Sequence, residues 1–185
     1  MLGSFNLGLL PKEAFVAKVN AMKLTSTPLN ANDVNWGVPA PVAGTPGRAQ
    51  LTLTAKPEAA FTGAVTYTYD RLDVEEIFNV SKEDRVIHSI GLGVTTAGVH
   101  DVLQQISSFY GIAMQASDWT NSVLTEDNNF AGCYNFTLAP TASNILFYGS
   151  VDLKIWPKKQ ITALVENVAE SDSLYIPTLQ TSEPQ

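Results

Sequence analysis

Two aspartates stand in matching words, Ala31-Asn32-Asp33-Val34 and Ala116-Ser117-Asp118-Trp119, each an Ala-x-Asp followed by an apolar residue. A carboxylate pair can share acid–base work when its members sit in different environments. An aspartate in a turn, however, accepts hydrogen bonds from nearby backbone N–H groups, and two copies of one turn need not meet in space, so the spacing favours capping. His88 and His100 are the two histidines and the candidate general bases. Neither lies beside a nucleophile in an arrangement such as Gly-x-Ser-x-Gly. Cys133, the one cysteine, can form no internal disulfide and cannot make a zinc site alone; it reads as a small buried hydrophobe. Asp73, Glu75 and Glu76 invite a metal ion, but their spacing has no ligand mechanism behind it, and a short helix would turn them to water while burying Val74, Ile77 and Phe78. Gly91-Leu92-Gly93 is too short to be a phosphate loop. The sequence therefore names no catalytic, cofactor-binding or metal-binding residue, and an enzyme is not expected.

Binding chemistry offers two further candidates. Trp36, Trp119 and Trp156 could form an aromatic platform for carbohydrate, although two of them follow the aspartate turns, where core plugs are the simpler reading. Lys154, Lys158 and Lys159 form the nearest thing to a basic patch and read as a solvated strand edge. With 18 acidic against 11 basic residues and a net charge of −7, nucleic acid is not expected as the main partner. No run reaches the 18 or so apolar residues of a membrane span, and the first ten residues lack a signal's basic region, so the expected compartment is a reducing cytosol. The sequons at Asn79 and Asn135 then carry no meaning.

Those side chains must be positioned by elements that the periodicity makes plain. The 185 residues suffice for one domain burying roughly 70% of its unfolded surface. Charged residues make up 16% of the chain, below the usual quarter or so, which suits either a neutral surface or one covered by partners. Pro11–Lys23 reads as a helix with Phe15, Val16, Val19 and Met22 on one face. Residues 37–48, GVPAPVAGTPGR, read as an exposed loop. Leu51–Tyr69 alternates with period two about a turn near Pro57 and reads as a β-hairpin; Tyr134–Trp156 reads as a blurred copy. Between them lie a helical turn at Leu72–Phe78, a capping-box start at Ser81–Asp84, a strand within Val86–Val94, and a helix over Thr96–Tyr110 stopped by Gly111. Ile161–Val168 reads as a strand or turn.

Three dissimilar features recur at near-constant spacing. Helical positions 14 and 101, turn positions 31 and 116, and the aromatic-x-Gly-small-Val words at Phe61 and Phe147 give offsets of 87, 85 and 86. The expectation is one α+β domain over 1–185, built from pseudo-repeated helix/β-hairpin units at about 11–78 and 96–160 and related by a pseudo-twofold. Antiparallel sheets would pack against the helices, with extended arms at Met1–Leu10 and over 169–185.

The wording LTLTAKPEAAFTGAVTYTYDRLDV, with its threonine-alternating strand, its aromatic-x-Gly-small-Val return and its Arg71-Leu72-Asp73 exit, resembles structural virion proteins of large tailed bacteriophages. The resemblance implies a non-enzymatic component of the virion, made in the host cytoplasm and assembled through contacts with other virion proteins and copies of itself. It leaves open capsid decoration, neck, tail or baseplate. A carbohydrate-binding or host-recognition module using surface aromatics is the alternative.

Overall fold

The computed structural model describes residues 5–23, 27–78, 86–89, 98–129 and 133–157, with residues 86–89 and 156–157 described by backbone alone. The expectations for Met1–Ser4, Ser81–Asp84, Gly91-Leu92-Gly93, Lys158, Lys159, Ile161–Val168 and the 169–185 arm, and for the side chains of His88 and Trp156, fall outside these residues.

Helix α1 (Pro11–Ala21) starts on a proline, which suits a first turn whose N–H has no partner, and ends short of the expected Lys23. Ala14, Phe15, Val16 and Val19 are buried, while Met22, just past its end, is 46% exposed. The chain then forms β1 (Val34–Trp36), β2 (Ala40–Pro41), β3 (Arg48–Ala55) and β4 (Ala64–Asp70). β3 runs antiparallel to β4 from Arg48↔Asp70 to Thr54↔Ala64. Its other edge takes β1 at one end and β2 at the other. The stretch over residues 37–48 is thus not all loop: Ala40–Pro41 joins the sheet, and the Gly37 N–H donates to the Thr52 carbonyl at 2.9 Å. Along β3, Ala49, Leu51 and Leu53 face inward and Gln50, Thr52 and Thr54 face water, as period two requires.

The remainder carries β5 (Leu72–Asp73), α2 (Val74–Phe78), β6 (Val86–Ser89), α3 (Val99–Tyr110), a 3-10 turn at Ala116–Asp118, β7 (Thr125–Glu126), β8 (Tyr134–Leu138), β9 (Phe147–Tyr148) and β10 (Val151–Pro157). β10 lies between β8, antiparallel, and β6, parallel, while β7 pairs with the far edge of β8. The architecture is α+β in a single domain. Two parallel pairings, β6–β10 and β5–β9, accompany the antiparallel hairpins.

The second half repeats the order of the first: a helix, an aspartate turn, a two-residue strand, then a hairpin. β2 and β7 begin at 40 and 125; in the hairpins Leu53↔Val65 recurs as Leu138↔Val151, and Thr52↔Thr66 as Thr137↔Asp152. The outward pairs are even bonded alike, Thr52 to Thr66 through their hydroxyls at 2.8 Å and the Thr137 hydroxyl to the Asp152 carboxylate at 2.7 Å. Gly63 and Gly149, which open the returning strands, hold φ of 86° and 81°. That left-handed backbone costs a glycine nothing, and it accounts for the shared word better than a ligand would.

The two halves interlock along a seam. β5 pairs in parallel with β9, and the Leu72 N–H donates to the Leu146 carbonyl at 2.8 Å. Val74 and Phe78, which follow the first hairpin, are fully buried among side chains of the second half. In return, Ile145 is buried with Phe15, Val19, Leu51 and Tyr69 of the first. The Phe15 ring meets Tyr69, Tyr67 and Trp36 edge-on, at centroid distances of 5.0, 5.6 and 5.9 Å. Within residues 5–10 the expected arm is docked, because Phe5 stacks near Phe15 and the Leu7 carbonyl accepts from the Ala113 N–H at 2.8 Å.

Tyr69 fastens this seam by donating its hydroxyl to the Ile145 carbonyl at 2.6 Å. Burial pushes its pKa up to about 12, against the opposing charge of Arg71, so the phenol stays a donor throughout the neutral range. Tyr69→Phe would leave that carbonyl buried and unpaired, at a cost of about 1–3 kcal/mol. The expected result is a lower urea midpoint with an unchanged slope. An unchanged midpoint would show that the bond does not hold the seam.

Candidate functional site

The side chains with chemical potential are placed by the fold as fasteners, each in its own neighbourhood. Asp33 accepts the Asn30 N–H at 3.1 Å and closes the turn ahead of β1, as its capping assignment requires. Asp118 holds the equivalent turn differently. Its N–H donates to the Gln115 carbonyl, and its own carbonyl accepts from Thr141 N–H and the Asn144 side chain at 2.9 and 3.0 Å. Burial raises its carboxyl pKa, while a hydrogen bond from Gln115 and the charge of Lys12 oppose the rise. Asp33 thus caps its turn through its carboxylate, whereas Asp118 braces its turn through backbone bonds and leaves its carboxylate Oδ2 buried without a hydrogen-bond partner among the described residues.

His100 sits at the start of α3. Its Nε2 lies 2.8 Å from the Trp119 carbonyl, and its backbone N–H donates to Asn121 Oδ1 at 2.9 Å. The ring thus ties the helix to the turn that follows it. Asp73 Oδ1 accepts the Glu75 N–H at 2.9 Å and caps α2, whose flanks are Val74 and Phe78 in the core. Among the described residues, no group of three or more His, Cys, Asp and Glu side chains could hold a metal ion. Trp119 is 1% exposed and tilted against Phe147 at 5.3 Å. Trp36 donates its indole N–H to the Ala31 carbonyl at 3.0 Å, and Lys12 lies 5.7 Å over its ring. These two rings serve packing, and no shared aromatic platform joins them.

Lys154 is not the solvated edge residue that its neighbours in sequence suggested. It projects from β10, an inner strand, and its Nζ lies 2.7 Å from Asp127 Oδ2. Asp127 is 6% exposed, and its carboxylate also accepts the Asn129 N–H at 2.8 Å and the Asn135 amide at 3.2 Å. These bonds, the Lys154 ammonium first, hold its pKa down to about 2; the same pairing raises that of Lys154. Cys133 is buried nearby, and burial together with the Asp127 charge pushes its thiol up, so it is a poor nucleophile. The pair was hidden in sequence because Asp127 lies in a polar stretch, 27 residues before its partner.

A different place combines an unpaired strand edge with a cleft. β4 pairs only with β3 among the described residues, so its other edge is open. The Ala55 N–H donates to Gly63 and the Arg71 N–H to Gly47, both at 2.9 Å. These bonds set the odd-numbered residues of β4 toward β3, and alternation then aims the N–H and C=O groups of Thr66, Thr68 and Asp70 outward. Beside that edge lies a cleft of about 250 Å³ between α1 and β4, floored by Phe15 and Val19 and rimmed by Met22, Lys18, Arg48 and Asp70. Arg48 Nε and Asp70 Oδ1 stand 3.9 Å apart and well exposed at its mouth. A second hollow of about 150 Å³, lined by Leu53, Phe61 and Val65 among others, adjoins the start of the same strand. An open ladder beside a trough with an apolar floor and a charged rim is chemically suited to an extended polypeptide.

Residues 8–183 match a family described as of unknown function (DUF7941). No curated protein and no solved structure matches the chain.

Proposed function

The chain belongs to that family of unknown function, and we propose that it is a non-enzymatic structural component of a tailed-phage virion, assembling through protein–protein contacts. The edge of β4, open among the described residues, carries this reading with its adjoining cleft, because the two offer backbone hydrogen bonds and partly apolar surface together. Several features support it. The outer face of the first sheet carries the neutral residues Gln50, Thr52, Thr54, Thr66 and Thr68, with one pair of opposed charges, Arg48 and Asp70, at its end. The side chains of Asp33, His100 and Cys133 are committed to a turn, a helix start and the core. The resemblance of Leu51–Asp73 to virion proteins supplies the setting.

The reading is tested by purifying the particles of a phage that encodes the chain and probing them with antibody, by gold labelling in the electron microscope. Regular labelling at one position on the particle is the expected result. Particles purified to homogeneity that lack the chain would overturn the proposal.

A further inference from the structure

The second half of the molecule is completed by a segment that precedes it. After leaving β4, the chain lays β5 beside β9, sinks Val74 and Phe78 of α2 into the second half's core, and adds β6 to the edge of β10 alongside α3. Residues 72–78 and 86–89 thus act as a clamp on the unit that follows them.

The first half has the same two seats, and among the described residues both are open. Counting back 86 residues, the offset between Phe61 and Phe147, the seat of β5 on Phe147–Tyr148 corresponds to Phe61–Thr62. That of β6 on Lys154–Pro157 corresponds to residues 68–71. The first seat borders the 150 Å³ hollow, and Phe61 is half-buried where Phe147 is 1% exposed. The second is the outward edge at Thr68 and Asp70, facing the 250 Å³ cleft beside α1. Both hollows lie where the clamp lies in the second half.

The sequence after β10 repeats the apolar positions of α2. Residues 158–175 stand to the second hairpin as 72–89 stand to the first, and Ile161-x-x-Leu164-Val165 repeats Val74-x-x-Ile77-Phe78 at an offset of 87. Among the described residues the halves follow one another by a forward step, without the matched contacts a pseudo-twofold would impose. Ile145 is buried in the first half, whereas its counterpart Ala59 is partly exposed and lies outside the second half's core. Units related in that way pass their clamps forward, so the unit standing ahead of the first half is the second half of another chain.

We propose that residues 158–175 of a second copy of this chain fill the two hollows of the first half, with a strand added parallel to β4 at Thr68–Asp70, linking copies head to tail. This rests on the assembly reading above and names its partner.

The test uses the full chain, the chain ending at Pro157, and a synthetic peptide of residues 158–175. Light scattering is expected to show the full chain as an oligomer and the shortened chain as a monomer that binds the peptide in titration calorimetry. Thr68→Pro in the shortened chain removes an outward N–H while sparing the ladder to β3, and is expected to weaken peptide binding by roughly tenfold or more. A folded shortened chain that ignores the peptide would overturn the proposal. Should the shortened chain fail to fold, the full chain carrying Ile161→Asp and Leu164→Asp serves instead: loss of the oligomer is expected, and its persistence would overturn the proposal. A full chain that stays monomeric at all concentrations while its shortened form binds the peptide assigns the clamp to its own chain and removes the second copy. A full chain that self-associates through this segment yet is absent from particles leaves this inference standing and sinks the virion reading.

Discussion

Phe78→Ala is expected to be the most damaging single truncation in the molecule. Phe78 is fully buried, with its ring edge-on to Tyr110 at 4.8 Å and to Trp119 at 5.9 Å. It closes a helix of five residues, too short to persist on its own hydrogen bonds and held by packing. Truncation removes buried apolar surface and leaves a cavity, at a cost of about 3–5 kcal/mol. For a chain of this size that corresponds to a fall in melting temperature of roughly 6–20 °C. The local effect should be larger still, because Val74 and Phe78 anchor the crossing between the two halves. Hydrogen exchange should rise first in β5 and α2, before the hairpins loosen. A variant that melted like the parent would mean that the crossing is not held by this ring.

The second large effect belongs to the Asp127–Lys154 pair. Lys154→Met removes the cation and strands a buried carboxylate, so it should destabilise more than Asp127→Asn, which keeps the bond from the Asn129 N–H, loses the acceptor that faces Asn135 and leaves a lysine that is 43% exposed. The pH dependence follows from the direction of the shift. The folded pKa of Asp127 is depressed from the usual 3.8 to about 2, so the folded state binds the proton less readily than the unfolded chain. Its contribution is fully present above about pH 4 and is lost as pH falls through 2. Denaturant midpoints measured from pH 5 to pH 2 should fall more steeply in the parent than in Asp127→Asn. Parallel profiles would remove the carboxylate from the acid response.

Much of this frame was legible because its signals are local. Period-two alternation marks Leu51–Leu53 and Tyr67–Tyr69, and a proline start marks α1. The spacing of Val99, Val102, Leu103 and Ile106 marks α3, which begins at Val99 and ends, as expected, before Gly111. The two aromatic-x-Gly words were legible because each glycine holds a positive φ. Long-range relations were not. Two residues cannot announce a strand, so β2 was hidden in a proline-rich stretch and β5 in what read as a helical turn. The parallel pairings, the Asp127–Lys154 bond and the insertion of Ile145 into the other half depend on tertiary placement that periodicity does not encode. The candidate site was missed for the same reason: an open edge is a statement about neighbours, and β4 reads as an ordinary strand.

The hydroxyl bond from Tyr69 to Ile145 spans 76 residues of sequence. During synthesis, the first sheet leaves the ribosome with Phe15, Leu51 and Leu53 in place and one wall of their packing still untranslated. At cytosolic elongation rates that interval lasts roughly 4–15 s, long compared with the formation of a hairpin. For that time the nascent chain presents an unfinished apolar surface, which makes the order of translation, and any chaperone at the exit tunnel, part of how this molecule reaches its native state.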